Sequence, residues 1–563
     1  MIEPRDRHWE DRADWSRLPV IEPRIPALLA HFKTHWSDRE VLVVDERRLT
    51  YGQLEAKSAL LALQLLASGV GKGSRIGLIL PTDERFLITW LAITRIGAIA
   101  VSLSTLSTPA EIGRIVRHAD LQMLFAPQLY LHHDYVKRIE DAFPEIARHR
   151  IPYHIETVPC LRSIRLWGSP NESVPPWARK VDLSGEPELS SSLMSAVESG
   201  IHSSDPAAII YTSGSTAEPK GVIHSQGSFV RAGMKLAASF KYGNDERAYA
   251  PMPFFWVGGL TTTAMCIMTL GATMLASTKS GAELLDFLER ERTTTVVAWP
   301  HILRALAEDP TFSRRDWSAM RDGMLFEALP PDKRPKDPSL MATPLGMTET
   351  NGPYTIQQRF LTDEQRGSVG PLLCGIEGRL IDPDSDEILA QWLEGDTNAD
   401  SNGKIGIMQV RGDVMMLGIV KREHADIFTS DGWYHTGDLC SFRKGHLHFH
   451  GRADDLIKAA GANVSPGEVQ AVLLQIPGVA SAYVSGVADR KRGTVVGALI
   501  VQETGVKLDV AAIRSEAARS LSSYKVPRVI VTIEGSEVPT LSSSKVDRRA
   551  LLRILQEAHD RTS

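Results

Sequence analysis

The sequence is poor in cysteine. Its four cysteines, Cys160, Cys266, Cys374 and Cys440, are far apart, and no two of them form a CxxC pair. This spacing is unlike a disulfide framework or a zinc site, and it favours reduced thiols in a cytoplasmic protein. The N-terminal segment is charged and has no apolar core, so we expect no secretory signal.

Long apolar runs and a strong excess of one charge are also absent. The most apolar stretch, residues 257–276, is interrupted by glycines and threonines, so the sequence predicts no transmembrane segment. The formal net charge is −5 over 563 residues. This charge argues against nucleic acid or an anionic membrane as the main partner.

The composition is that of a globular protein of more than one domain. The chain is 43% apolar and 23% charged, and 563 residues are too many for one ordinary domain. Helical and strand-like patterns alternate through most of the chain: helix at 49–66, strand at 75–80, helix at 86–96, strand at 98–103, strand at 207–211 and helix at 228–240. This alternation predicts a large N-terminal domain of layered α/β subdomains with mostly parallel sheets.

The pattern changes after about Gly451. The tail predicts a compact α+β unit of its own: helix at 466–475, strands at 480–487 and 495–502, helix at 510–521 and strand at 528–533. We therefore expect a small C-terminal domain in addition to the large one.

The loop of residues 211–221 (YTSGSTAEPKG) is the most informative segment. A run of hydroxyl residues and glycine after a strand presents backbone N–H groups and hydroxyls to an anion, and Lys220 adds positive charge. The loop is not a Walker A motif, because Pro219 stands where that motif has glycine. The pattern predicts a phosphate-binding loop.

Four further strings follow in order. Residues 346–349 (GMTE) place the Thr348 hydroxyl beside the Glu349 carboxylate, which suit a phosphate oxygen and Mg²⁺ respectively. Residues 433–438 (WYHTGD) place Asp438 after a glycine turn, where a carboxylate can accept two hydrogen bonds from ribose hydroxyls. The other two strings are residues 451–464 (GRADDLIKAAGANV) and 539–548 (PTLSSSKVDR).

Together these strings resemble the adenylate-forming superfamily, which includes acyl-CoA synthetases, nonribosomal adenylation domains and luciferases, and the chain is most similar to the acyl-CoA synthetases. The resemblance extends over nearly the whole chain, from residues 49–54 (LTYGQL) through residues 96–112 to the lysine string at 539–548. It implies an N-terminal domain of residues 1–452 and a mobile C-terminal lid of residues 453–563, with a hinge near Asp454.

The resemblance also implies roles for individual residues. Lys545 is the expected catalytic residue, which bridges the substrate carboxylate and the α-phosphate, with Glu349 on Mg²⁺ and Thr348 beside it. Asp438 is expected at the ribose hydroxyls, and Arg452 at the ribose or phosphates. The remaining implied residues are Thr212, Ser213, Gly214, Ser215, Thr216 and Lys220 at the phosphates, Leu345 at the adenine, and Lys458 and Gly461 at the coenzyme A channel.

Three features of the segment expected near the adenine depart from the family pattern. Leu345 stands where the family has an aromatic ring, so it offers apolar contact without a π face. The small-residue segment that borders adenine is replaced by residues 326–330 (FEALP), and the stretch from there to Leu345 is short, as if a helix were trimmed. Adenine contact is therefore less well predicted than phosphate contact.

The implied acyl pocket is lined by Trp256, Val257, Gly258, Gly259, Ala328 and Gly346. Trp256 replaces the usual histidine, or the aspartate of amino-acid-activating members. Without an acid there, an α-ammonium group has no anchor, which argues against amino acid substrates. The glycines and the apolar residues after them favour an apolar acid, although a core position for Trp256 is an alternative.

The sequence leaves three functions open. The first is an AMP-forming ligase that joins a medium-chain, long-chain or other apolar carboxylic acid to coenzyme A, with ATP and Mg²⁺. The second is an adenylating enzyme that passes the acyl group to a carrier protein or an amine. The third is a non-catalytic acyl or nucleotide binder. We expect small molecules as partners in the cytoplasm, with no nucleic acid; a homodimer is an open alternative.

Overall fold

The computed structural model describes most of the chain. The described residues are 13–169, 172–185, 188–212, 220–334, 337, 340–341, 343–356, 360–383, 385–393, 399–453, 457–459, 462–464, 466–490, 493–521, 525–540 and 546–562. The side chains of residues 301, 458, 462, 463 and 562 are outside this description.

The helices agree with the predicted pattern. In chain order they are α1 Ile25–His35, α2 Tyr51–Ala67, α3 Glu84–Thr94, α4 Pro109–His118, α5 Tyr135–Ala142, α6 Ser191–Ser199, α7 Gln226–Phe240, α8 Cys266–Met268, α9 Gly281–Arg290, α10 Pro300–Ala307, α11 Pro466–Leu473, α12 Val510–Ser520 and α13 Arg548–Thr562. Local capping fixes several starts: Thr50 and Gln53 form a capping box before α2, and Thr108 and Glu111 form one before α4.

The strands are likewise given in chain order. They are β1 Glu40–Val44, β2 Arg47–Thr50, β3 Arg75–Leu78, β4 Ile99–Ser102, β5 Met123–Pro127, β6 Leu129–Tyr130, β7 His133–Asp134, β8 Ser163–Trp167, β9 Arg179–Lys180, β10 Pro206–Thr212, β11 Lys220–Ser225, β12 Arg247–Tyr249, β13 Thr273–Ala276, β14 Thr295–Val296, β15 Asp322–Gly323, β16 Gly346–Met347, β17 Gly352–Pro353, β18 Ser368–Gly370, β19 Ile376–Ile381, β20 Ile388–Trp392, β21 Gly406–Gly412, β22 Gly418–Ile419, β23 Tyr434–Arg443, β24 His446–Arg452, β25 Ile457–Ala459, β26 Ala462–Val464, β27 Val479–Asp489, β28 Gly493–Gln502 and β29 Val529–Ile533.

The chain divides into two compact units. The first comprises Met1–Glu377, Leu393–Gly395 and Arg411–Trp433, and the second comprises Gly378–Trp392, Asp396–Val410 and Tyr434–Ser563. The predicted boundary at residue 452 remains a prediction.

Two large sheets form the first unit. The eight-stranded sheet has the order β22-β11-β10-β4-β3-β5-β8-β9, and the six-stranded sheet has the order β15-β14-β12-β13-β1-β2. Most neighbours are parallel; the exceptions are β10–β11, β11–β22 and β1–β2. Because parallel strands need helices on both faces, strands such as β4 and β5 are fully buried.

The second unit contains a small α+β sheet. Strand β28 lies between β27, which is antiparallel to it, and β29, which is parallel to it. Buried residues of α11 and α12 pack on one core with β27 and β28, and α13 contributes Leu551 and Leu555 to a second. The predicted fold class, a large α/β domain with a smaller α+β domain, is confirmed. Among the described residues, we find no helix that is long and apolar enough to cross a membrane.

Candidate functional site

The phosphate loop is closed at its base by two predicted site residues. Strand β10 ends at Thr212 and strand β11 begins at Lys220, and these two residues are paired in the antiparallel register. The loop between them carries Ser213, Gly214, Ser215 and Thr216, which lie outside the described residues. The base of the hairpin therefore positions Thr212 and Lys220 next to each other.

Lys220 also forms an ion pair with Glu349. The Lys220 Nζ donates a hydrogen bond to the Glu349 Oε1, although the two residues are 129 positions apart in the sequence. The Glu349 carboxylate is largely buried, with 10% of its side chain exposed, whereas 32% of the Lys220 side chain is exposed. The sequence assigned these residues separate roles and did not predict their contact.

A tight hairpin presents Glu349. Strands β16 and β17 pair Gly346 with Pro353, and residues Thr348–Thr350 form a 3-10 turn between them. A Cβ on Gly346 would lie 2.7 Å from the carbonyl oxygen of Gly352, so only glycine fits this close approach. The hairpin thereby holds Thr348 and Glu349 side by side, as the string predicted.

The donor set fits Mg²⁺ carried by a nucleotide. Mg²⁺ prefers oxygen ligands and usually binds one or two carboxylates together with substrate phosphates. Glu349 supplies such a carboxylate, and its pairing with Lys220 shows that this carboxylate already accepts a cation. No cluster of three or more candidate ligand side chains occurs in the part of the chain that the structure describes, and a metal shared with phosphates does not need one.

A buried histidine beside this site was missed by the sequence analysis. His224 lies on β11, at an alternate position from Lys220, and is fully buried. Burial lowers the pKa of His224 to about 4, although the Thr348 backbone and Glu349 oppose the shift. His224 is therefore neutral near pH 7, and the positive charge next to Glu349 is that of Lys220. The sequence did offer one signal for His224: it is four residues after Lys220, so both side chains fall on the same face of a strand.

Leu345 is half-exposed at the start of this hairpin. Its N–H donates to the Thr355 Oγ1 at 2.8 Å, and its carbonyl accepts from the Tyr354 N–H. Between Phe326 and Leu345 the described residues include the 3-10 turns Phe326–Ala328 and Pro331–Lys333, and the expected trimming of a helix there remains a prediction. Contact with adenine remains a prediction.

The segment expected to bind the acyl group begins a π-helix, Gly258–Met265. Trp256, Val257 and Gly258 are half-exposed, and the Trp256 ring packs edge-on against Phe255 at 5.1 Å between centroids. A Cβ on Gly259 would lie 2.1 Å from the carbonyl oxygen of Pro253, so this turn requires glycine. A π-helix is rare and is frequently found at functional sites.

The other two residues implied for the pocket differ from each other. Gly346 is exposed, whereas Ala328 is 3% exposed and belongs to a buried cluster with residues of α9 and α10. Their contact with an acyl group remains a prediction.

In the second unit, Asp438 and Arg452 are directly opposite residues of β23 and β24. The Arg452 Nη1 donates to the Asp438 Oδ1 at 2.8 Å, and the Asp438 side chain is only 4% exposed. The sequence predicted a glycine turn before Asp438, and this prediction was wrong. Gly437 has φ +74°, but residues 434–443 form one continuous strand with an irregularity in register opposite β21.

The Thr436 hydroxyl explains how the strand continues through this irregularity. It donates to the carbonyl oxygen of Met408 on β21 at 2.8 Å and accepts from the Asp438 N–H at 3.0 Å. These bonds replace ladder bonds that the irregular register disrupts. Asp438 is thus fixed by both its backbone and its carboxylate.

The remaining predicted residues are outside what the structure describes. Asp454, Gly461 and Lys545 fall in undescribed segments, and only the backbone of Lys458 is described, in the hairpin of β25 and β26. Their roles remain predictions.

Comparisons with known proteins agree with the motifs. The AMP-binding enzyme profile matches residues 29–420, and the profile of the AMP-binding enzyme C-terminal domain matches residues 468–545. A CoA ligase of Mycobacterium tuberculosis named for a methyl-dioxo-octahydroindenyl propanoyl group is 27% identical over 542 residues, which cover 94% of this chain and 98% of the relative.

Two further matches extend over almost the full length. A sulfoacetate–CoA ligase of Cupriavidus necator is 26% identical over 550 residues, which cover 95% of this chain and 98% of the relative. The crystal structure of the anthranilate CoA ligase AuaEII with anthranoyl-AMP has a TM-score of 0.74 at 21% identity, with 97% of this chain and 100% of that chain covered. The first profile alone matches more than half of the chain, so the protein belongs to the AMP-binding enzyme family, as its motifs predicted.

Proposed function

We propose that the protein is an AMP-forming acid–CoA ligase. A carboxylate attacks the α-phosphorus of ATP and displaces pyrophosphate, which gives an acyl-adenylate. The thiol of coenzyme A then attacks the acyl carbon and displaces AMP. The main support is the contact between Lys220 and Glu349 at the base of the phosphate loop, because it joins a phosphate-binding cation to a carboxylate suited to Mg²⁺.

The first half-reaction brings two anions together, and the chain offers cations to offset their repulsion. Lys220 contacts the phosphates at the base of their loop, and Lys545 bridges the attacking carboxylate and the α-phosphate. A single electrostatic contact of this kind typically contributes roughly 10²–10³ in rate. Glu349, together with the phosphates, would hold Mg²⁺, which would offset the negative charge of pyrophosphate.

The nucleotide is oriented at both ends. Thr212, Ser213, Ser215, Thr216 and the Thr348 hydroxyl donate hydrogen bonds to phosphate oxygens. Asp438 accepts hydrogen bonds from the ribose hydroxyls, and Arg452 holds that carboxylate in place from the neighbouring strand.

We further propose that the second half-reaction uses a different arrangement of residues 453–563. Rotation about Asp454 withdraws Lys545 and brings the segment of residues 458–464, with Lys458 and Gly461, to the acyl-adenylate, where coenzyme A enters. A glycine at position 461 leaves room for the narrow pantetheine arm.

The acid is proposed to be largely apolar. Trp256 and Val257 are half-exposed apolar residues directly before the π-helix. Position 256 carries no carboxylate that could bind an α-ammonium group. The relatives act on acids that differ widely, from a bicyclic propanoate to sulfoacetate, so the residues of this chain are the better guide.

The test is pyrophosphate exchange with ATP across a panel of carboxylic acids, followed by product analysis with and without coenzyme A. We expect exchange with at least one apolar acid, and acyl-CoA and AMP only when coenzyme A is present. Lys545→Ala should abolish exchange and still convert a supplied acyl-adenylate to the thioester. Failure of exchange with every acid, or equal loss of both half-reactions in Lys545→Ala, would contradict the proposal.

A further inference from the structure

A buried hydrogen-bond donor beside the π-helix has no acceptor among the residues that the structure describes. Asn351 is 1% exposed and has φ +56°, two residues after Glu349. Its Oδ1 accepts a hydrogen bond from the Thr261 Oγ1 at 2.7 Å, but its Nδ2 has no partner in the described part of the chain. Buried polar groups are nearly always hydrogen-bonded, and a donor left without an acceptor is costly. A ligand oxygen would remove that cost.

A second polar group is on the residue after Thr261. Thr262 is half-exposed, and its hydroxyl makes no hydrogen bond to any residue that the structure describes. Its Oγ1 lies 3.2 Å from the place that a Cβ on Gly352 would occupy, and Gly352, the residue after Asn351, has φ +123°. The hairpin and the π-helix therefore meet at two neighbouring points, Asn351 with Thr261 and Gly352 with Thr262, and the second point has no side chain on the hairpin.

The Thr262 hydroxyl is on the open face of the π-helix. Gly258 and Thr262 are the half-exposed residues of Gly258–Met265, and they are about one π-helical turn apart. Gly258 follows Trp256 and Val257, which are apolar and half-exposed. The face proposed to contact the acyl group is thus apolar except at Thr262.

The side chains that form this polar point carry no charge, because Thr261, Thr262 and Asn351 are all neutral. The charged residue nearest in sequence to Asn351, Glu349, is paired with Lys220. A second carboxylate on the acid would need a cation to offset its burial, whereas a ketone, ether or hydroxyl oxygen needs only a donor. The donors therefore suit a neutral oxygen.

We propose that Thr262 and Asn351 form an oxygen-recognition site in the acyl pocket, so that the preferred acids have an apolar body that carries one neutral acceptor oxygen. This inference rests on the proposed ligase function. The Thr262 hydroxyl makes the first contact, and small shifts about Gly352 give the oxygen access to the Asn351 amide. A site built to bond an oxygen discriminates against the analogue that lacks it, because its own polar groups are then left unpaired.

The experiment compares acids that differ by one oxygen. Pyrophosphate exchange is measured with octanoic acid and with keto-octanoic acids that carry the ketone at each position along the chain, and with cyclohexylpropanoic acid and its ring ketones. We expect at least one ketone to exceed its parent acid by roughly tenfold or more in kcat/KM.

Two threonine variants form a matched pair. Thr262→Val removes the hydroxyl at nearly constant shape and should lower kcat/KM for the ketone far more than for its parent. Thr263→Val removes a hydroxyl that already bonds the Gly258 carbonyl oxygen at 3.1 Å, and it should leave the ratio of ketone to parent unchanged. Asn351→Gly keeps the left-handed backbone, deletes the amide and should lower the ratio in the same way as Thr262→Val.

The outcomes separate this inference from the function on which it rests. Exchange with parent acids and ketones at equal kcat/KM would overturn the oxygen-recognition site and leave the ligase proposal standing. An equal fall in the ketone-to-parent ratio of kcat/KM in Thr262→Val and Thr263→Val would also overturn it. The effect would then come from a general change in the π-helix and not from the Thr262 hydroxyl. Absence of exchange with every acid would instead contradict the ligase proposal.

Discussion

The two ion pairs of the proposed site are built in different ways. Asp438 and Arg452 are 14 residues apart and directly opposite each other in one β-hairpin, so strand register alone brings them together. Lys220 and Glu349 are 129 residues apart and meet only because a strand and a separate hairpin pack against each other. The first pair orients a carboxylate permanently. The second joins two groups that are each proposed to bind part of Mg-ATP, and under that proposal the pair opens when the nucleotide binds.

Among the residues of the two ion pairs, the largest effect is expected from Glu349→Gln, which removes the carboxylate proposed for Mg²⁺. Loss of one such electrostatic contact should lower the rate of pyrophosphate exchange by roughly 10²–10³. The Mg²⁺ concentration for half-maximal exchange should rise as well, which a Mg²⁺ titration measures. An unchanged Mg²⁺ requirement would remove Glu349 from the metal site.

Asp438→Asn should have a smaller effect of another kind. A hydrogen bond to a charged group contributes about 1.5–3 kcal/mol, so the KM for ATP should rise by roughly 10- to 100-fold. The variant and the wild type should differ much less with 2′,3′-dideoxy-ATP, which lacks the hydroxyls. A difference of the same size with both nucleotides would show that Asp438 does not bind the ribose.

Lys220→Met and Arg452→Met compare the two pairs through stability. Each leaves a largely buried carboxylate without its cation, at a cost of about 1–2 kcal/mol, because both cations are about one-third exposed and partly screened. Thermal unfolding with and without Mg²⁺ should separate the variants. Mg²⁺ should stabilise Lys220→Met by replacing the lysine at Glu349, and it should not stabilise Arg452→Met. Equal responses to Mg²⁺ would contradict the proposed difference.

The smallest effect is expected from His224→Leu. Burial keeps the His224 ring neutral with a pKa of about 4, although the Thr348 backbone and Glu349 oppose the shift. An apolar side chain of similar size should change the free energy of unfolding by less than about 1 kcal/mol. The rate of exchange and its pH profile between about 6 and 8 should be unchanged, since the pKa of His224 lies below that range. A marked loss of exchange would show that His224 acts on Glu349.

The elements of this protein were largely predictable, whereas the site contacts were not. Apolar periodicity and capping residues placed the tail elements within about two residues of α11, β27, β28, α12 and β29, because those signals are local. The turn expected before Asp438 failed because ten residues of strand pairing override the local preference of Gly437. The Lys220–Glu349 contact and the π-helix depend on packing between distant segments, which no local pattern encodes.

The most direct test of the account is the fate of the carboxylate oxygen. The best acid from the exchange panel, labelled with ¹⁸O in its carboxyl group, is incubated with the protein, Mg-ATP and coenzyme A, and the nucleotide product is analysed by mass spectrometry. Formation of an acyl-adenylate predicts AMP that carries one ¹⁸O atom from the acid. AMP without the label, or ADP and phosphate as products, would contradict the proposed mechanism.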